Sequence, residues 1–574
     1  MLVISWRRWM SPIVDSGREI DLPVRLLQGD ALYRDVFYMY PPLSPYFNSL
    51  LYSVFGVRLE VLQASGIIIS IVIAVICYRI ARRLLNAGDA SIAIIAIIAW
   101  CIFKPSGNLI SPYSYSALHG MLFALCALLF LLRFSETSSI KQLWLAGGLA
   151  GIAALSKQEF GLAALLTGLG TVGWLTIGEK RNAPSLVKQL IALLSPFFAI
   201  TIPVFALLLY RYGWHLMVWD CHIFLTHLPQ SLVFYNSQRT GLNRPLASIL
   251  ELIGGGVVCV AIGAAIALYS IIIARIKGQA VSASLIRKLA FFCAAAGLVI
   301  IVILAITSAW DGSPLRGLPL LLAVIIVNQI RKRRAAQTSL VIIGLYSLII
   351  LGRVVLRVPS GGAFGSFFLP TSLIILTYAL LELLPAAILR WSSLPQARFY
   401  AVQTARVLVV TLLIVAGVVF SVRYRRGFSY FVSAQRGSLY APASVGPAYQ
   451  ETINYLNTNS SPADKVAVLP EGSDIAFLSA RRNPLRHQNL HPLMMNDEGE
   501  ARAIGQLSAE PIRFVIITNR PMREFGAEAF GRDYYQSFGQ AIERDYRLVR
   551  VFGNISEDEA VIGARRFFTK IYER

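Results

Sequence analysis

Apolar runs of roughly 18 to 25 residues recur along the chain, and each is long enough to cross a hydrocarbon core of about 30 Å. Nothing else constrains the fold as strongly. Inside lipid every backbone N–H and C=O needs a partner within the protein, so runs of this kind form helices. The expected spans are 59–82, 90–104, 116–134, 142–156, 158–177, 188–212, 247–274, 288–308, 316–330, 338–353, 366–389 and 404–422. They make about twelve spans, or about thirteen with one ahead of Asp15. Composition agrees, because 56% of the 574 residues are hydrophobic and only 15% are charged, unlike a soluble average. The expected fold class is mainly α, a polytopic transmembrane helical bundle with outward amphipathic loop helices.

The formal charge of +22 resembles a nucleic-acid signal, but its placement argues against one. Cations sit in short linkers: Arg79, Arg82 and Arg83; Arg133 and Lys141; Lys180 and Arg181; Arg275, Lys277, Arg287 and Lys288; Arg331 to Arg334; Arg390, Arg398 and Arg406. These fall on every second linker, so all of them face the cytoplasm together. No basic helix is interleaved with aromatics in the way nucleic-acid binding needs. The alternate linkers 15–58, 105–115, 157–159, 213–246, 309–315 and 354–365 then face outward. Arg423, Arg425 and Arg426 run against the rule, but they lead into a long tail, and long domains translocate largely regardless of charge.

Residues 1–14 are too short and too charged for a span, and Arg7 and Arg8 interrupt any signal-peptide core. A late start, with a helix missing ahead of Asp15, is the expectation. Cys77, Cys101, Cys126, Cys259 and Cys293 lie in apolar spans and Cys221 in a loop-like stretch, without metal or disulfide spacing. They read as small packed hydrophobes. From about residue 430 the pattern changes to short β-branched runs at 465–469, 513–518 and 547–552, with helical stretches at 450–457 and 527–546. Two domains are expected: a membrane part over 1–428 and a small C-terminal α/β domain over 429–574. The tail shows no Gly-rich phosphate loop and no nucleophile elbow, so a structural or acceptor-docking role fits it.

The chemistry-bearing residues gather outside the spans. Asp15 to Phe55 is expected to be the first water-exposed segment, with Asp15, Glu19, Asp35 and the run Tyr38-Met-Tyr40-Pro-Pro-Leu-Ser-Pro-Tyr46. Ionisable residues at a membrane edge are functional candidates by default. Asp15 and Glu19 are one helical turn apart and share a face on a helix. A partly desolvated carboxylate there can act as a general base; equally, Asp15 can simply start the helix. Tyr38, Tyr40 and Tyr46 either line a sugar pocket or anchor the chain at the interface. Lys157 and Glu159 are either a phosphate-binding lysine with its orienting glutamate or a snorkelling pair at a turn. Arg353 and Arg357 either clamp a phosphate or anchor a helix end. The loop holding Trp214, His215, Trp219, His222, His227 and Tyr235 has no metal spacing and reads as packing on the membrane surface. Asp311 is a further, weaker candidate.

In order, these residues make the chain similar to the GT-C superfamily of polytopic glycosyltransferases. The likeness is to the bacterial branch related to protein O-mannosyltransferases (family 39-like) and to the lipid A aminoarabinose transferase. It is carried by Asp15 in the first outward loop, Gly29-x-x-x-Tyr33-x-Asp35, Tyr40-Pro-Pro-Leu43 with Phe55-Gly56, and the Ser156-Lys-Gln-Glu159 turn. Beyond residue 177 it rests on topology. The resemblance implies inverting transfer from a polyprenyl-phosphate sugar to an acceptor hydroxyl on the outer face of a bacterial inner membrane, the acceptor being a lipid, a glycan or a protein. Asp15 would be the base or its positioner, and cations such as Lys157, Arg353 and Arg357 would stabilise the leaving phosphate. One departure is that residues 104–115 hold no carboxylate where many members carry a second acidic motif tied to a divalent metal. A metal cofactor is therefore left open and no ligands are assigned, with Glu19 or Glu159 as substitutes. The alternatives are a transporter or lipid flippase, and a scaffold with a decayed site. A transporter should show repeated halves and charges at mid-membrane; here the charges cluster at one face.

Overall fold

A computed structural model of the chain describes every residue except 106, 178–184, 222–229, 279–312, 333–336, 355, 358–364, 493–494, 496 and 556–566. The expected span 288–308, together with Cys293, His222, His227 and Asp311, lies outside the described residues. Each other expected span falls on a helix. Among the described residues, six helical segments are long and apolar enough to cross a membrane: Leu59–Ala81, Tyr115–Thr137, Leu186–Val218, Gln230–Ile276, Pro370–Ser392 and Pro395–Gly427. Ala87–Ile102, Ile140–Ser156 and Thr338–Val354 are apolar but shorter. The chain is a multi-pass membrane protein built as a helical bundle.

The bundle's buried layer is made of small and branched residues where helices approach closely. Gly147 faces the Leu193 carbonyl and Gly161 faces Ala154, each so closely that a methyl group would not fit. Close backbone approach through small residues is how helices associate without a hydrophobic drive between them. The helix from Leu186 breaks at Gly213, whose φ of +77° only glycine adopts readily, and a π-helical turn follows at His215–Cys221. His215 is exposed there and 3.8 Å from Asp220, while the Cys221 thiol is buried. The final membrane helix, Pro395–Gly427, is 33 residues and so about 50 Å long at 1.5 Å per residue. It overshoots the core of the bilayer and delivers the tail.

The tail holds an antiparallel hairpin, β1 (Tyr430–Ala434) and β2 (Gly437–Ala441). It also holds a four-stranded mixed sheet of β3 (Lys465–Leu469), β4 (Ile512–Thr518), β5 (Arg547–Gly553) and β6 (Phe568–Glu573) in the order β3-β4-β6-β5. β3 and β4 are parallel, and the two β6 pairings are antiparallel. The three expected strands are present; β1, β2 and β6 were not expected. Helix Gly446–Asn459 covers the expected 450–457, but the expected helix 527–546 is helical only over Gln536–Asp545. The stretch before it is turned by Asp533, whose carboxylate accepts the N–H groups of Glu528 and Ala529. Local side-chain bonds of this kind compete with helix formation.

The first loop departs most from expectation. Its helix, Ser16–Leu27, is buried from Ser16 through Arg25 rather than water-exposed, because the tail lies over it. Asp474 Oδ2 accepts the Ile13 N–H at 2.9 Å. Arg25 pairs with Asp30 at 2.6 Å and donates to the Leu485 carbonyl at 2.5 Å, and Arg482 reaches Asp30 from the tail. The N–H of Phe37 donates to the Arg486 carbonyl at 2.8 Å. Bonds across that seam compensate much of the cost of burying so polar a segment.

Candidate active site

Asp15 stands at the N-cap of helix Ser16–Leu27, but its side chain makes no capping bond, so the helix-start role is not what it performs. Among the described residues its carboxylate accepts no hydrogen bond. Its backbone sits at φ +56°, ψ −42°, a conformation that costs a non-glycine residue about 1–3 kcal/mol. The Asp15 N–H donates to Glu471 Oε1 at 2.5 Å, a bond from the tail into the first loop. Arg18, one turn on and buried, faces Asp15, Tyr38 and Tyr40 electrostatically, and its Nε lacks a hydrogen-bond partner among the described residues.

Glu19 differs from Asp15 in its partners. Both of its oxygens are engaged, Oε1 by Arg18 at 3.2 Å and Oε2 by the Tyr115 N–H at 2.8 Å. It thereby holds the start of helix Tyr115–Thr137, and burial raises its carboxyl pKa while Arg18 opposes the rise. Asn108 fixes the neighbouring stretch, accepting the N–H groups of Ile110 and Ser111 and donating to the Trp9 carbonyl.

Lys157 ends helix Ile140–Ser156 and is 3% exposed. Its Nζ lies 4.7 Å from the Tyr40 ring centroid, 5.6 Å from that of Tyr113 and 3.5 Å from Glu159 Oε1. Two aromatic faces and a partly exposed carboxylate thus hold a desolvated ammonium, a setting in which a well-placed ring contributes about 2 kcal/mol. Tyr38 is buried and packs edge-on to Tyr40 at 5.5 Å. Tyr46 lies apart, 48% exposed and facing Arg211 and Tyr212.

Arg353 and Arg357 each have a protein partner on one neighbouring helix. Arg353 donates to Asn236 Oδ1 at 2.9 Å and Arg357 to the Gln238 carbonyl at 3.1 Å, so both brace helix Gln230–Thr240. That helix carries Tyr235, which stacks on Phe525 of the tail at 4.8 Å and interacts electrostatically with Asp15 and Tyr40. Arg239 lies 5.1 Å over the Tyr235 ring.

The structure therefore brings Asp15, Arg18, Tyr38, Tyr40, Lys157 and Tyr235 into one electrostatically connected cluster, with Glu471 and Arg520 behind Asp15. Sequence reasoning did not single out Arg18, Arg239, Glu471 or Arg520. Arg18 lies inside the acidic run and was within reach; Glu471 and Arg520 are more than 450 residues from Asp15 and left no local signal. Among the described residues no group of three or more His, Cys, Asp or Glu could hold a metal. The Glu471 oxygens beside Asp15 already accept Arg520, Asn489 and the Asp15 N–H, donors that do not fit a cation site.

A family model for dolichyl-phosphate-mannose-protein mannosyltransferases matches residues 39–209. The structure of ArnT from Cupriavidus metallidurans bound to undecaprenyl phosphate aligns at a TM-score of 0.52 and 13% identity, covering 99% of this chain and 96% of that one. Its apo state gives 0.53 and 14% with the same coverage. An oligosaccharyltransferase from Archaeoglobus fulgidus, in complex with Zn and sulfate, gives 0.49 and 11% over 90% of this chain and 67% of that one. No curated protein matches the sequence. Bundle, buried first loop and α/β tail together, this chain has the fold of the GT-C membrane glycosyltransferases.

Proposed function

We propose that the protein is an inverting glycosyltransferase that moves a sugar from a polyprenyl phosphate to an acceptor hydroxyl at the outer face of a bacterial inner membrane. One observation carries the reading: Asp15, whose carboxylate caps nothing, and Lys157, a buried ammonium walled by tyrosines, are joined electrostatically through Arg18 and Tyr40. In the proposed step the acceptor oxygen attacks the anomeric carbon as the bond to the lipid phosphate breaks. The phosphate leaves with the bonding electrons, and Asp15 takes the hydroxyl proton. A single displacement inverts the anomeric centre. Lys157 and Arg18 stabilise the charge that collects on the leaving phosphate, an effect that is strongest where water is excluded. Tyr38 and Tyr40 supply aromatic wall for the sugar. The domain boundary near residue 428, an extracytoplasmic tail and an acceptor that is a lipid, glycan or protein belong to the same reading.

The test is a transfer assay in membranes with a panel of polyprenyl-phosphate sugars, the product being identified by mass. Asp15→Asn is expected to lower turnover by about 10²- to 10⁴-fold, the usual contribution of a general base, with expression unchanged. Wild-type turnover in that variant removes Asp15 from the mechanism. Substrate crossing the membrane unmodified, without transfer, assigns the protein to the transporters instead.

A further inference from the structure

Glu471 lies where the tail meets the first loop. It follows β3 and is 2% exposed. Its Oε1 accepts the Asp15 N–H at 2.5 Å and Asn489 Nδ2 at 2.9 Å, and its Oε2 accepts Arg520 Nε at 3.1 Å. The Thr518 hydroxyl donates to its carbonyl at 2.9 Å. Donors from the first loop, the segment after helix Ser473–Leu478, and the segment after β4 thus fix one side chain. The residue it holds in turn, Asp15, keeps a backbone conformation that a non-glycine residue does not adopt unaided. Strain of this kind persists where surrounding structure over-determines it, and it clusters at functional sites.

We infer that Glu471, carried by the C-terminal domain, is a positioning residue for sugar transfer that locks the Asp15 backbone so that the Asp15 carboxylate meets the acceptor. The inference rests on Asp15 being the proton acceptor of the reaction proposed above. A carboxylate accepts an N–H more strongly than a neutral carboxyl does, so the lock depends on the charge of Glu471. The ionisable groups around it come from each neighbouring element. Arg520 and, through it, Glu524 follow β4; Asp15 and Arg18 belong to the first loop; His491 stands beside Arg18 and Arg520; Tyr534 closes the far side. Burial pushes the Glu471 carboxyl up to about 7, with Arg520 opposing the rise and Asp15 adding to it. Below that pH the group is protonated and its hold weakens; above it the hold is complete.

The experiment compares wild type, D15N and E471Q as full-length protein, with turnover and donor KM measured between pH 5.5 and 8.5. Wild-type turnover is expected to rise through about pH 7. E471Q keeps an acceptor of the same shape but no charge. It is expected to lower kcat at pH 8 by roughly 10- to 100-fold, the scale of a misplaced reacting group, to lose the rise near pH 7 and to leave donor KM within about threefold. An E471Q profile that keeps wild-type kcat, or a lowered one that keeps the limb, overturns the inference. Should E471Q not yield a monodisperse protein, E471D decides: its shorter carboxylate loses the Asp15 N–H, and wild-type kcat there also overturns it. If D15N is inactive while both Glu471 variants behave as wild type, this inference alone fails. If D15N is fully active, both readings fall together.

Discussion

Lys157 shows how much one residue depends on its surroundings. An ammonium taken out of water costs several kcal/mol unless partners compensate, and here the compensation comes from Tyr40, Tyr113 and Glu159. These come from the first loop, the second loop and the next turn of helix, so a cation is kept charged at one spot by three separate stretches. Lys157→Ala is expected to raise donor KM about 10- to 100-fold, the loss of one buried charge-assisted contact, and to move acceptor KM far less. The reverse split in a two-substrate titration counts against a phosphate role. Lys157→Arg is not expected to restore the donor KM, because a planar fork does not fill a space shaped for a point charge. The arginines expected to act with it, Arg353 and Arg357, hydrogen-bond Asn236 and the Gln238 carbonyl. No sequence pattern separates an arginine that binds an anion from one that braces a helix; only the partner does.

At the scale of an element, helix Ser16–Leu27 is held as a helix by its seam with the tail more than by its own propensity, since Gly17 and Pro23 both weaken it. Gly17 is needed there for close approach. A Cβ at that position would lie 2.5 Å from the Asp474 backbone nitrogen and 3.0 Å from that of Ser473. Gly17→Ala is therefore expected to destabilise the docked tail by about 1–3 kcal/mol, the usual effect of overpacking. The readout is a lower thermal midpoint in detergent and faster proteolysis of the tail. An unchanged midpoint shows that the seam yields without strain. Helix Gln230–Thr240 follows the same logic, stacking Tyr235 on Phe525 while its other face takes Arg353 and Arg357. Its sequence reads as a surface-lying amphipathic segment, and the pairing with the tail does not show in it.

For the whole molecule, the tail is the lid and back wall of the candidate site. It provides Glu471, Arg520 and Phe525, and it covers the first loop with Asp474, Arg482 and Arg486. Because the tail and Asp15 share one end of the bundle, they lie on the same side of the membrane. A C-terminal alkaline phosphatase fusion is expected to be active, as the arginine-bearing linkers demand; an inactive fusion with a fluorescent cytoplasmic counterpart reverses the proposed orientation. A chain ending after Gly427 keeps the last membrane helix and loses the partners of the first loop. It is expected to insert and to show no detectable transfer, measured beside the full chain in the same membranes.

The residues alone were enough to establish a helical membrane protein, the positions of its described spans and a tail with a small sheet. They sufficed because lipid leaves a chain so few options: span length and apolar pattern follow directly from bilayer thickness and backbone satisfaction. Tertiary structure alone decided which charged groups lie together. It turned Glu19 into an anchor for Tyr115, set Tyr46 outside the cluster, gave Arg353 and Arg357 to a neighbouring helix, and brought Glu471 to Asp15 from the far end of the chain. The reason is that a buried polar group is defined by the partner that satisfies it. For this site those partners come from elements hundreds of residues apart.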